Sequence, residues 1–195
     1  MSEIKHNTND SDPVTGFELH KTVVLVGMMG AGKTAVGRAL AAKLGVPFLD
    51  SDAEIESAAN MTIPEIFERD GEPFFRAKES QVIGRLLDEE KGILSTGGGA
   101  FLADQNRMMI TDRGVSVWLR ADLEVLWNRV KHKDTRPLLR TTDPYATLRA
   151  LYEARVPVYA QADLTAESDG ETSIENMVNR VVDALMTRPD VLERK

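Results

Sequence analysis

The residues Gly27-Met28-Met29-Gly30-Ala31-Gly32-Lys33-Thr34 have the types and spacing that grip a phosphate chain. They fit G-x-x-x-x-G-K-[ST], and the flanks give that pattern meaning. The apolar run Thr22–Val26 precedes it, and Val36, Leu40 and Leu44 follow on one helical face. Glycines let the backbone turn tightly, so that successive N–H groups point inward at phosphate oxygens. The helix N-terminus adds a partial positive charge, Lys33 adds a full one, and Thr34 offers a hydroxyl to Mg²⁺. A glycine-rich turn with an exposed lysine is the plainer reading, but strand before and helix after favour a nucleoside triphosphate site.

Other groups could serve a second substrate. In an open parallel sheet the ligand lies beyond the carboxyl ends of the strands. Asp50 and Asp52 flank Ser51 where a strand gives way to a helix, and residues two apart in extended chain point the same way. One carboxylate could hold Mg²⁺ through water while the other accepts a proton from an attacking hydroxyl. The plainer reading is that Asp52 caps a helix starting at Ala53, but capping needs one acid, not two. Gly97-Gly98-Gly99 follows a buried strand where an NTPase often carries an acidic metal ligand. The bare backbone there approaches either a ligand or a packed helix. Arg76, with Glu79 three residues on to orient it, Arg136 before Pro137, and Arg155 before Val156-Pro157 are guanidiniums able to fork onto carboxylate or phosphate.

These groups must be held by one α/β domain of ordinary composition. The 195 residues are 42% hydrophobic and 28% charged, with a net charge of −7 and no cysteine. Without cysteine, disulfides, thiolate metal sites and cysteine nucleophiles are excluded, which fits a cytoplasmic protein. The negative charge argues against nucleic acid as a partner, and no apolar run approaches the roughly 20 residues that span a membrane. Strands are predicted at Thr22–Val26, 47–49, 93–96, 115–119 and, more weakly, 163–166, alternating with helices. That alternation implies a five-stranded parallel sheet flanked by helices on both faces. Thr62, Pro64 and Glu65 start a helix that Gly71 ends, and 73–90 forms another. Asp122 caps Leu123–Val130, and Thr172 or Ser173 starts the last helix. Residues 1–20 read as a disordered extension, 21–187 as the domain, 131–144 as a mobile lid and 188–195 as a C-terminal tail.

Taken in order, GMMGAGKT, LDSD, FFRAKE, STGGGA, TRPLL and LYEARVPVY resemble shikimate kinase, a nucleoside-monophosphate-kinase-like P-loop family, across essentially the whole domain. The resemblance implies that Gly30, Ala31, Gly32, Lys33, Thr34 and Ala35 bind ATP, with Arg129 on the adenine. Lys33 and Arg136 would meet the transferred phosphate, and Thr34, with Asp50 through water, would hold one Mg²⁺. Asp52 would be the base on the reacting hydroxyl. Arg76 and Arg155 would clamp the shikimate carboxylate, Gly97, Gly98 and Gly99 would close around the ring, and Phe67 and Phe75 would form its apolar wall. The implied reaction is phosphorylation of the shikimate 3-hydroxyl by ATP, on the route to chorismate, in a monomeric enzyme. One departure stands out. The family often has a proline on the second face of the adenine, and this chain has Glu171-Thr172-Ser173 there, so that contact is unassigned. The alternatives are a kinase for gluconate or a nucleoside monophosphate, and a P-loop module that binds nucleotide without catalysis. A GTPase would call for N-K-x-D, which the sequence lacks.

Overall fold

The run Thr-Val-Val-Leu-Val at Thr22–Val26 (β2) is buried at every position, as happens only when both faces of a sheet are covered. The computed structural model, which describes residues 16–132 and 139–195, places this strand at the centre of a parallel sheet. Its order is β3-β4-β2-β5-β6, with β3 Phe48–Asp50, β4 Ile93–Ser95, β5 Gly114–Ala121 and β6 Leu164–Ser168. Val24 stands opposite Leu94 on one side and Ser116 on the other. All five strands predicted from the sequence are present. After β2 the chain skips to the sheet edge, returns through β4, and then crosses to β5. This reversal opens a crevice beyond the carboxyl end of β2.

Local signals set most helix boundaries. Helix α1, Lys33–Leu44, runs from Gly32 (φ 92°) to Gly45 (φ 67°), both left-handed positions that suit glycine. Helix α2 spans Ser51–Ala59, α3 Ile63–Asp70 and α4 Glu72–Glu89. The Thr62 hydroxyl accepts from the Glu65 N–H at 3.4 Å, and Gly71 ends α3 as expected. A 3₁₀ turn, Ala100–Leu102, leads into α5, Asp104–Arg113. Helix α6 spans Leu123–Val130 and α7 Pro144–Tyr159. Ser173 caps α8, Ile174–Met186, by accepting from the Asn176 N–H at 3.1 Å. Asp122 stands at the α6 cap position but makes no cap bond, and lies 3.6 Å from Arg120 instead. Helix α1 packs on α8, and α4 on α5.

The chain ends differ from expectation. Phe17–Leu19 (β1) pairs antiparallel with Leu192–Arg194 (β7), so neither the extension to residue 20 nor the tail from 188 is wholly unstructured. Burial is the reason: Val191 and Leu192 are 0% and 1% exposed, and His20 closes the ribbon on Glu193 at 2.9 Å. Residues 1–15 lie outside the described residues, as do 133–138 within the expected lid. Pro144, drawn as the lid's last residue, opens α7, with the Asp143 carboxylate accepting from the Ala146 N–H.

Candidate active site

The loop between β2 and α1 turns through Gly30 (φ 81°) and Gly32 (φ 92°), and so aims the N-terminus of α1 into a cleft of about 1050 Å³. Gly30, Ala31, Gly32, Lys33, Thr34 and Ala35 line it. The Lys33 ammonium donates to the Gly27 and Met28 carbonyls at 2.7 and 3.0 Å, which draws the charge over the loop. This concentrates positive potential where a phosphate chain fits.

Beside the loop, β3 delivers two carboxylates. Asp50, not Asp52, caps the helix, accepting from the Asp52 and Ala53 N–H groups at 2.9 and 3.2 Å through one oxygen. Helix α2 therefore starts at Ser51, and Asp52 is free of capping duty and faces the cleft from its first turn. Burial, with the Asp50 and Glu79 charges nearby, pushes the Asp52 carboxyl from 3.8 to about 6, against the pull of Lys33. An acid so poised is ionised at neutral pH yet a better proton acceptor than an ordinary aspartate.

The three glycines after β4 explain how the rest converges. A Cβ on Gly97 would lie 2.9 Å from Asp52 Oδ1, one on Gly98 2.8 Å from Arg155 Nη1, and one on Gly99 2.5 Å from Arg76 Nη2. Of the two readings open from sequence, ligand or packed helix, the loop is bare because site side chains occupy the space beside it. Arg76 is fixed by Glu79 at 2.8 Å, and Glu79 is only 1% exposed. Burial holds the Glu79 carboxyl above its usual range, and Arg76 opposes that. Phe67 and Phe75 stack at a centroid distance of 4.8 Å and complete this wall.

At the other end Arg129 donates to the Gly30 carbonyl at 3.1 Å and to Ser168 Oγ at 2.8 Å, tying the phosphate loop to the end of β6. Ile174 and Met177 line the same end, and Ile174 is 52% exposed. Sequence reading missed Ile174, although an apolar residue right after a helix cap was a usable signal. It also missed Ser168, which meets Arg129 through a tertiary contact. All the site residues singled out from sequence line this one cleft except Arg136, which lies outside the described residues. The oxygens of Thr34, Asp50 and Asp52 form a hard donor set at the phosphate end, which suits Mg²⁺ rather than a thiophilic metal.

The chain is similar to known proteins along most of its length. The profile of the family described as shikimate kinase matches residues 29–186. A shikimate kinase of Ruegeria pomeroyi is 74% identical over 193 residues, covering 99% of both chains. One of Cereibacter sphaeroides is 71% identical over 175 residues, covering 90% of this chain and 87% of its own. The structure of the Acinetobacter baumannii shikimate kinase in complex with shikimate superposes with a TM-score of 0.79 at 39% identity, covering 86% of this chain and 93% of that one. With the phosphate loop, the paired aspartates and the arginine-lined glycines in one cleft, and with relatives matching along nearly the whole length, the chain belongs to the shikimate kinase family.

Proposed function

We propose that the protein transfers the γ-phosphoryl group of ATP to the 3-hydroxyl of shikimate, giving shikimate 3-phosphate and ADP on the route to chorismate and the aromatic amino acids. The observation that carries this reading is the meeting of Asp52, Arg155 and Arg76 on Gly97, Gly98 and Gly99, beside the phosphate loop.

In this mechanism the N–H groups of residues 30–35 cradle the phosphates, and Lys33 leaves its loop carbonyls to meet the transferred group. Arg76 and Arg155 fork onto the ring carboxylate and fix the acceptor's register. The Phe67 and Phe75 rings cover its apolar edge. Asp52 accepts the hydroxyl proton as the oxygen attacks. Thr34, and Asp50 through water, would hold Mg²⁺, which when bound neutralises charge on the phosphate oxygens. Arg129 stacks on the adenine, and Ile174 offers the apolar second face where the family often has proline. Arg136 would complete the phosphate contacts from the lid. One chain supplies both halves of the cleft, which suits a monomer, and we assign a cytoplasmic location from the cysteine-free sequence.

A coupled assay of ADP release with Mg-ATP tests the reading: release should depend on shikimate and not on gluconate or nucleoside monophosphates. Folded protein that releases no ADP with shikimate, or binds ATP but no shikimate by calorimetry, overturns it.

A further inference from the structure

Tyr159 ends α7 and is 0% exposed, yet it brings a hydroxyl into that burial. The hydroxyl donates to the Gly98 carbonyl at 2.5 Å, and the Arg155 guanidinium one turn earlier stands beside it, pulling the phenol's pKa down against its burial. A Cβ on Gly98 would stand 2.8 Å from Arg155 Nη1 and 3.8 Å from the Tyr159 oxygen, so guanidinium, phenol and bare glycine meet at one point. Burial raises the phenol's pKa, which keeps it protonated and able to donate. The ring itself packs on Trp118 at a centroid distance of 6.4 Å.

The turn between the two side chains is the weakest of α7. Pro157 lies inside it and has no N–H to offer the Glu153 carbonyl. The backbone ladder thus has a gap where Arg155 needs a fixed direction. A side-chain hydroxyl that donates to the glycine loop and turns its oxygen's remaining lone pair to the guanidinium side bridges that gap. Phenylalanine would fill the same volume and do neither.

We propose that Tyr159 is a positioning residue for acceptor binding: its hydroxyl holds the Arg155 guanidinium against Gly98 before substrate arrives. Arg155 then keeps its direction on binding and loses little rotamer freedom. The inference rests on the reading of Arg155 as a carboxylate clamp.

The test is steady-state kinetics of wild type and Tyr159→Phe with each substrate varied, alongside thermal unfolding. Loss of the polar oxygen beside the guanidinium predicts a shikimate KM raised about tenfold. The ATP KM should stay within about twofold, and the midpoint within a few degrees, because the ring keeps its packing. Placed in Arg155→Lys, the same change should add little, since both act through one contact. An unchanged shikimate KM overturns the inference. So does a parallel rise of both KM values with a falling midpoint, or a full additional rise in Arg155→Lys. Wild type that turns over no shikimate would overturn the functional reading and this inference together; a normal wild type with an indifferent variant overturns the inference alone.

Discussion

Replacing Asp52 with asparagine should stabilise the fold while removing turnover. The carboxyl titrates at about 6 instead of 3.8 because burial, Asp50 and Glu79 all disfavour its charge. At 1.36 kcal/mol per tenfold change, that displacement corresponds to about 3 kcal/mol of strain in the ionised form. Water in the open cleft screens part of it, leaving about 2 kcal/mol. The sign follows from proton binding. Between pH about 4 and about 6 the folded chain keeps a proton that the unfolded chain has lost, so rising pH removes stability across that window and no further above it. Asparagine has no such proton, and it keeps the shape that fits beside Gly97. The variant should therefore match wild type near pH 4 and exceed it by about 2 kcal/mol at neutral pH, or about 4–8 °C in midpoint. Glu79 titrates in both proteins and cancels to first order. Thermal or urea unfolding across pH ~4–8 measures the difference, and turnover should fall on the order of 10²–10⁴-fold. A variant less stable than wild type at neutral pH, or a gap that ignores pH, refutes the reasoning.

Lys33→Ala should cut kcat on the order of 10²-fold while calorimetric shikimate affinity stays within about twofold. Because Lys33 lowers the Asp52 pKa, the acid limb of any residual rate should move to higher pH. Gly99→Ala keeps an ordinary φ of −91° but sets a methyl 2.5 Å from Arg76, so the shikimate KM should rise about tenfold or more with little change in thermal midpoint. Leu192→Ala, in the terminal ribbon and 1% exposed, should cost about 2–4 kcal/mol in urea unfolding without altering either KM.

The parallel sheet was legible because Val and Leu dominate β2 and recur along β5, and because Thr62, Gly71 and Ser173 punctuate the helices. Helix α5 was not delineated: in DQNRMMITDR only Asn106 and Ile110 are buried, too few to show a helical period. The β1–β7 ribbon was missed for a related reason. Each strand has three residues and no hairpin turn, and the pairing joins positions some 175 apart, such as Phe17 with Arg194. No local pattern encodes that. Within the site, residue types disclosed the phosphate loop and the paired aspartates. The division of labour between the aspartates was hidden, because which one caps α2 depends on where the helix starts. Capping at Asp50 starts the helix two residues earlier than a cap at Asp52 would, and this leaves Asp52 free of capping.

The glycine loop also bears on selectivity. Its three consecutive residues are fitted to side chains from three different helices, Asp52 from α2, Arg155 from α7 and Arg76 from α4. Gly97–Ala100 is a turn closed by the Ala100 N–H donating to the Gly97 carbonyl at 3.1 Å, so the α-carbons that face Asp52 and Arg76 lie within about 7 Å of each other. A six-membered ring with a carboxylate on one carbon and a hydroxyl two carbons on fits within that span. Such an acceptor places its anion on the guanidiniums and its nucleophile on the base at the same time. A flexible open-chain acid can reach both ends only by freezing several torsions, each at an entropic cost of a few tenths to about 1 kcal/mol. Chain rigidity between the two groups, more than the number of hydroxyls, should therefore rank candidate acceptors by kcat/KM. A flexible hydroxy acid of equal length that matched the ring's kcat/KM would show that the loop does not measure distance at all.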